Sequence, residues 1–198
     1  MAADAEVRIA ELELRLLGGY QLLQALVGIR LRSVQDPESR RHLTWLSDVV
    51  AAMGLINRRI VESGSVDFAA YLDDAVGFWR RNSDSSSVRI ELRADAGDLP
   101  ESHAVPMAII VHELMSNAVR HAFPGGERGF IAIAYSRAAD GVSLVVRDSG
   151  VGAEAIEKGD GLALVEGLVA HLGGAMVIET KPGVGIRVRL PIRPDVTH

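Results

Sequence analysis

Apolar residues recur at helical spacing along the first third of the chain. Ile9, Leu12, Leu16, Leu23 and Leu26 fall on the a and d positions of a heptad, with Tyr20 and Val27 widening the stripe. That period predicts one long helix from about Glu6 to Ser33. Gly18 and Gly19 interrupt it, at a cost of roughly 1 kcal/mol each relative to alanine, so a kink or a close helix contact is expected there. Asp36-Pro37-Glu38 then reads as a helix start, with an N-cap acid, proline at the first helical position and an acid in the first turn. The second helix carries Leu43, Leu46, Val50, Met53 and Ile60 at the same spacing and stops near Ser63-Gly64. Two long amphipathic helices with a short link predict an antiparallel hairpin. One hairpin offers too little surface to cover both stripes, so two are expected to pair as a dimeric four-helix bundle.

After Gly64 the pattern shortens. Phe68, Leu72, Val76 and Trp79 predict a shorter helix, and Asn82–Ser87 a polar loop. Val88-Arg89-Ile90-Glu91-Leu92 alternates like a half-buried strand. A helix is expected from about Val105 to Ala122, then strands at Ile131–Ser136 and Val142–Arg147 about a turn at Asp140-Gly141. A glycine-bearing loop leads to a helix from Leu162 to Leu172, and strands at Met176–Thr180 and Ile186–Leu190 close the pattern. Helices interleaved with hairpin strands predict an α+β fold, an α/β sandwich with one mixed sheet and helices on one face. The chain thus divides into a helical hairpin, 1–64, and an α/β domain, 65–198.

Composition narrows the classes. With 198 residues, 48% of them hydrophobic, the chain can bury one core plus a helical appendage. A net charge of -5 argues against nucleic acid as a partner, since a duplex binder needs a basic face. The absence of cysteine removes disulfides, thiolate metal sites and cysteine nucleophiles, and suits a reducing cytoplasm. No apolar run is long enough for a membrane span, and the first ten residues, with Asp4 and Glu6 among them, do not resemble a signal peptide. A sensory or transmembrane input domain is therefore expected on another chain.

Three segments of the second domain carry polar residues that packing alone would not put there. Glu113, Asn117 and Arg120 or His121 recur at i, i+4 and i+7 or i+8, so they share one helical face. A carboxylate, an amide oxygen and a cation on one face hold a magnesium ion with its phosphates, or else form a solvated polar surface. Asp148-Ser149-Gly150-Val151-Gly152 follows an apolar strand. Its acid and glycines suit a flat ligand with an exocyclic amine, or a plain strand-ending turn. Gly159-Asp160-Gly161 opens a helix whose free amides favour phosphate, or is an ordinary loop into an N-cap.

In this order and spacing, the three segments resemble the N, G1 and G2 boxes of the ATPase superfamily shared by gyrase, Hsp90, histidine kinases and MutL. The likeness covers about Val105 to Pro191, with Gly183-Val184-Gly185 similar to the glycine motif before the family's last strand. The run from Glu113 to Gly126 most resembles histidine kinases whose phosphoacceptor lies in a His-Arg-x-x-Asn motif, and Gln35–Ser39 sits where that subfamily turns between its two helices. The resemblance implies ATP and magnesium as cofactors. It implies that Asp148 holds the adenine amine, Gly150 and Gly152 shape the base pocket, and Asn117 ligates magnesium. Glu113 would orient or activate a water or the acceptor, Arg120 and His121 would contact phosphate or ribose, and Gly159 and Gly161 would flank the triphosphate beneath a lid.

The pattern breaks at the acceptor. Where the subfamily has His-Arg-x-x-Asn, this chain has Leu14-Arg15-Leu16-Leu17-Gly18. Leu14 falls at heptad position f, the exposed face that a phosphoacceptor needs, and leucine accepts no phosphoryl group. Exposed beside Leu17, it offers apolar surface to a partner instead. His42 is the one histidine of the hairpin and reads as solvated, His103 and His198 as loop residues, and His171 as a helix C-terminal residue. Only Ala153 to Lys158 separate Gly152 from Gly159, a short lid, and Asp160 puts a carboxylate where phosphate approaches, unfavourable unless a cation intervenes.

The sequence therefore predicts a two-component signalling adaptor, a homodimer docking a response regulator receiver domain or a partner histidine kinase. The alternative is an active kinase, phosphotransferase or phosphatase using a non-standard residue. A non-kinase ATPase or anti-sigma-like binder would not need the hairpin.

Overall fold

A computed structural model of the chain describes the backbone of residues 2–63, 66–82, 87–154 and 159–192, and their side chains apart from 2–10, 12–17, 60–63 and 82. The side chains of Leu14, Ile9, Leu12, Leu16 and Ile60, the lid residues 155–158, His198 and the proposed boundary at 64 lie outside the described residues.

Two long helices, α1 (Ala2–Ser33) and α2 (Pro37–Ser63), are joined by three residues and pack on each other. Asp36 caps α2 as its position suggests, its Oδ2 accepting from the amide of Ser39 at 2.8 Å. The glycine pair is not a contact point. Helix α1 continues through Gly18 and Gly19, and a Cβ on either would meet nothing within 4 Å. The close approach occurs instead at Gly54 of α2, where a Cβ would lie 3.6 Å from that of Tyr20.

The buried face of α2 also differs from its leucine stripe. Leu46 is exposed, while Val49, Val50, Ala52, Ile56 and Asn57 are buried. Ile56 belongs to one apolar core with Phe68, Tyr71, Leu72 and Val76 of α3 (Phe68–Asn82) and with Met107, Ile110 and Leu114 of α4 (Glu101–His121). An α2 stripe thus has a partner within its own chain.

The remaining elements are β1 (Val88–Ala94), β2 (Gly129–Ala138), β3 (Gly141–Asp148), α5 (Asp160–His171), β4 (Ala175–Glu179) and β5 (Gly185–Pro191). They form one mixed sheet in the order β1-β2-β3-β5-β4, with β1 and β2 parallel and the other pairs antiparallel. A parallel pair needs a crossover, and α4 supplies it. Buried and exposed residues alternate along β2 and β5, so one face meets the helices and the other faces water. Helix α4 begins at Glu101, earlier than its apolar pattern indicates, with Pro106 inside it. His103 therefore stands in the first helical turn, not in a loop, its Nε2 3.1 Å from the Pro191 carbonyl oxygen.

Candidate functional site

Helix α4 crosses the covered face of the sheet and brings Leu114, Asn117, Ala118 and His121 to the wall of a cavity of about 600 Å³. Val146 and Asp148 at the end of β3, and Val184 and Ile186 around the start of β5, form the opposite wall. Gly152 and Ala153, with Gly159, Gly161 and Leu162 at the start of α5, complete it, and Arg41 of α2 enters from the side.

At one end lies Asp148, buried among these aliphatic side chains. Its Oδ1 accepts from the amides of Gly150 at 2.9 Å and Val184 at 3.2 Å. Both bonds fall on one oxygen, which leaves Oδ2 for a donor in the cavity. An apolar slot ending in a half-satisfied carboxylate fits a heteroaromatic ring bearing an amine. The surrounding backbone is packed to the limit of glycine. A Cβ on Gly150 would collide with the carbonyl of Ala122, and Gly183, at φ +67°, lies against the carbonyl of Asp148.

The other end is polar. Gly159 is the N-cap of α5 and supplies no side-chain cap, so the first amides of that helix are open to an anion. Asn117 lines the same cavity, its side chain without a hydrogen-bond partner among the described residues. No cluster of three acidic or histidine side chains able to hold a metal occurs among the described residues. One amide oxygen completed by phosphate oxygens suits magnesium, which depends on its substrate's phosphates for ligands. The residues present therefore fit a magnesium nucleotide.

Glu113 stands just behind this end. It is buried, and its Oε1 accepts from the Trp45 indole Nε1 at 2.5 Å. Its Oε2 occupies the space a side chain at Gly161 would need. Burial holds its pKa above the usual carboxylate value; the Trp45 bond and the charge of Arg120 oppose this, and Asp48 adds to it. His112 is buried next to it, with Nε2 3.8 Å from Asp48 Oδ2 and no hydrogen-bond partner on that nitrogen among the described residues. Burial, and then Arg120, lower its pKa to about 4. The ring is therefore neutral, packed against Trp79 at 5.3 Å between centroids.

Of the residues singled out from the sequence, Asn117, His121, Asp148, Gly152, Gly159 and Gly161 line one cavity. Gly150 lies behind its wall against Ala122, Glu113 behind Gly161, and Arg120 is exposed outside the lining. Sequence reasoning missed the face of α2 formed by Arg41, Trp45 and Asp48. Their i, i+4, i+7 spacing was the available signal.

Residues 83–190 match the family model described as the histidine kinase-like ATPase domain. The chain belongs to that family. The chain is 29% identical to the sensor histidine kinase PdtaS of Mycobacterium tuberculosis over 206 aligned residues, covering 97% of this chain and 40% of that protein. The histidine protein kinase DivJ of Caulobacter vibrioides is 31% identical over 181 aligned residues, covering 78% of this chain and 30% of that protein. The chain thus spans well under half the length of these relatives. Among solved structures, the histidine kinase domain of a blue-light-activated kinase of Erythrobacter litoralis has the same fold, with a TM-score of 0.71 at 19% identity over 88% of this chain and 94% of that one. No described helix is long and apolar enough to cross a membrane.

Proposed function

We propose that the chain is a dimeric, ATP-binding signalling core that does not phosphorylate itself at the usual position and acts by docking a response regulator receiver domain or a partner histidine kinase. The observation that carries this reading is a conflict. The cavity has a buried Asp148 and an open helix terminus, yet Leu14 stands where the resemblance to histidine kinases puts the acceptor histidine. Asp148 would take the adenine amine, Asn117 the magnesium, and the α5 amides the phosphates. Bound magnesium would neutralise phosphate charge there, and Arg120 and His121 would contact phosphate or ribose. The division into residues 1–64 and 65–198 is retained as dimerisation and nucleotide-binding parts.

Dimerisation is supported by an apolar stripe on α1 that this chain leaves uncovered. Leu22, Leu26 and Ile29 are 60%, 52% and 56% exposed, and their spacing puts them on one face. Two such stripes would form the seam of the four-helix bundle.

A second reading, an active enzyme using another acceptor, is favoured by His42. Its imidazole is exposed, and Nδ1 lies 3.9 Å from Asp160 at the start of α5. One experiment separates the two. On incubation with labelled magnesium ATP, the protein should bind nucleotide and form no acid-labile phosphohistidine. Asp148→Asn should weaken binding by about 1.5–3 kcal/mol, the cost of a charge-assisted hydrogen bond. Leu14→His is expected to restore some labelling. Robust labelling of the unmodified protein mapped to His42 would make it a kinase and overturn the adaptor reading.

A further inference from the structure

Asp160 places a carboxylate beside the open terminus of α5, where a triphosphate would approach. Helix α2 answers that charge. It crosses this end of the cavity on three polar contacts: His42 to Asp160 at 3.9 Å, Trp45 to Glu113 at 2.5 Å, and Asp48 to His112 at 3.8 Å. Asp160, and Glu113 behind Gly161, both mark the phosphate end, whereas Asp148 marks the opposite one. Arg41 precedes His42 directly and lines the same cavity as Asn117, Gly159 and Gly161. Among the described lining residues it is the one permanently charged cation. It forms no ion pair or hydrogen bond with the protein among those residues, although its charge helps to lower the pKa of Asp36.

We infer that Arg41 is a nucleotide-binding residue that contacts the terminal phosphate of a bound nucleoside triphosphate, so that the helical segment senses triphosphate against diphosphate. This rests on the ATP reading above and goes beyond it, since it assigns a ligand contact to a helix outside the ATPase domain. The chemistry suits the residue. A guanidinium presents a planar fork of donors to phosphate oxygens, keeps its charge at any working pH, and sheds water more readily than an ammonium. Drawn onto the phosphate, Arg41 would also offset the repulsion that Asp160 imposes. A diphosphate lacks the group that Arg41 reaches, so it would leave the first turns of α2 held only by the three contacts above.

The test is calorimetry on the full chain with magnesium ATP and magnesium ADP, comparing the unmodified protein with Arg41→Gln, Arg41→Lys and Arg89→Gln. Arg89 is an exposed arginine on β1, away from the cavity, and controls for net charge. Arg41→Gln should weaken ATP about tenfold, the scale of one charge-assisted contact, and leave ADP within about twofold. Arg41→Lys should recover part of the loss, and Arg89→Gln should change neither. Unaltered ADP affinity also certifies that the variant is folded. Hydrogen exchange supplies a second readout: ATP should slow the amides of residues 41–48 more than ADP does, and Arg41→Gln should abolish the difference. Equal losses for ATP and ADP, or no loss, would overturn the assignment while leaving the nucleotide site intact. Failure of the unmodified protein to bind either nucleotide would remove the ATP reading itself, and this inference with it.

Discussion

His112 gives the chain a predictable acid sensitivity. Its pKa drops from 6.5 in the unfolded chain to about 4 in the folded one, through burial and then the charge of Arg120. A depressed histidine pKa means that the unfolded chain binds a proton that the folded chain refuses. The stability it contributes is therefore complete above about pH 6.5 and is lost as pH falls toward 4. Between about pH 7.5 and pH 5 the loss comes to roughly 2 kcal/mol, since each unit below about pH 6.5 costs about 1.4 kcal/mol and the stretch above it costs almost nothing. Glu113 and Asp48 work in the opposite direction. Burial raises both pKa values, so protonating them favours the folded state as pH falls. The comparison must therefore be between variants. Urea unfolding of the unmodified protein and of His112→Gln, followed by circular dichroism across this range, isolates the histidine. The unmodified protein should lose about 2 kcal/mol more than the variant on going to about pH 5. Parallel pH profiles for the two proteins would refute the reasoning.

Three other outcomes follow from particular contacts. Leu26→Glu puts a charge on the exposed α1 stripe; light scattering should then give the 21.2 kDa chain mass, against about twice that for the unmodified protein. Trp45→Phe removes the indole donor to Glu113 and should lower stability at neutral pH by about 1–2 kcal/mol, read as a reduced urea midpoint. Gly150→Ala drives a methyl into the Ala122 carbonyl; it should lower the melting temperature and weaken nucleotide binding together, at a cost of about 1–3 kcal/mol in stability.

What the sequence made legible had a local cause. Strand alternation, the Asp36 cap and the helical face of Asn117 and His121 are short-range patterns, and the residues concerned stand in the elements expected of them. What it hid depends on long-range contact or on competing signals. Pro106 makes the first turn of α4 look like a loop, because proline lacks the amide that a helix interior uses. The α2 stripe of Leu43 and Leu46 looks like a coiled-coil seam, yet the face that packs onto the second domain is set by Ile56 and Trp45. Trp45 meets Glu113 across 68 positions of sequence, a distance over which periodicity carries no information.

Helix α2 is held in two different ways along its length. Around Ile56 it is rooted in apolar packing, which releases only if the core opens. From His42 to Asp48 it is held by one hydrogen bond and two longer polar contacts, of which the exposed one between His42 and Asp160 is replaced by water at small cost. Such a rod behaves as a lever with its fulcrum near Ile56 and its free arm over the phosphate end of the cavity. A small rotation at the fulcrum would sweep Arg41, some fifteen residues and about 22 Å of helix away, through several ångströms. A force delivered along α1 would then move the phosphate end of the cavity first, before any of the core is disturbed.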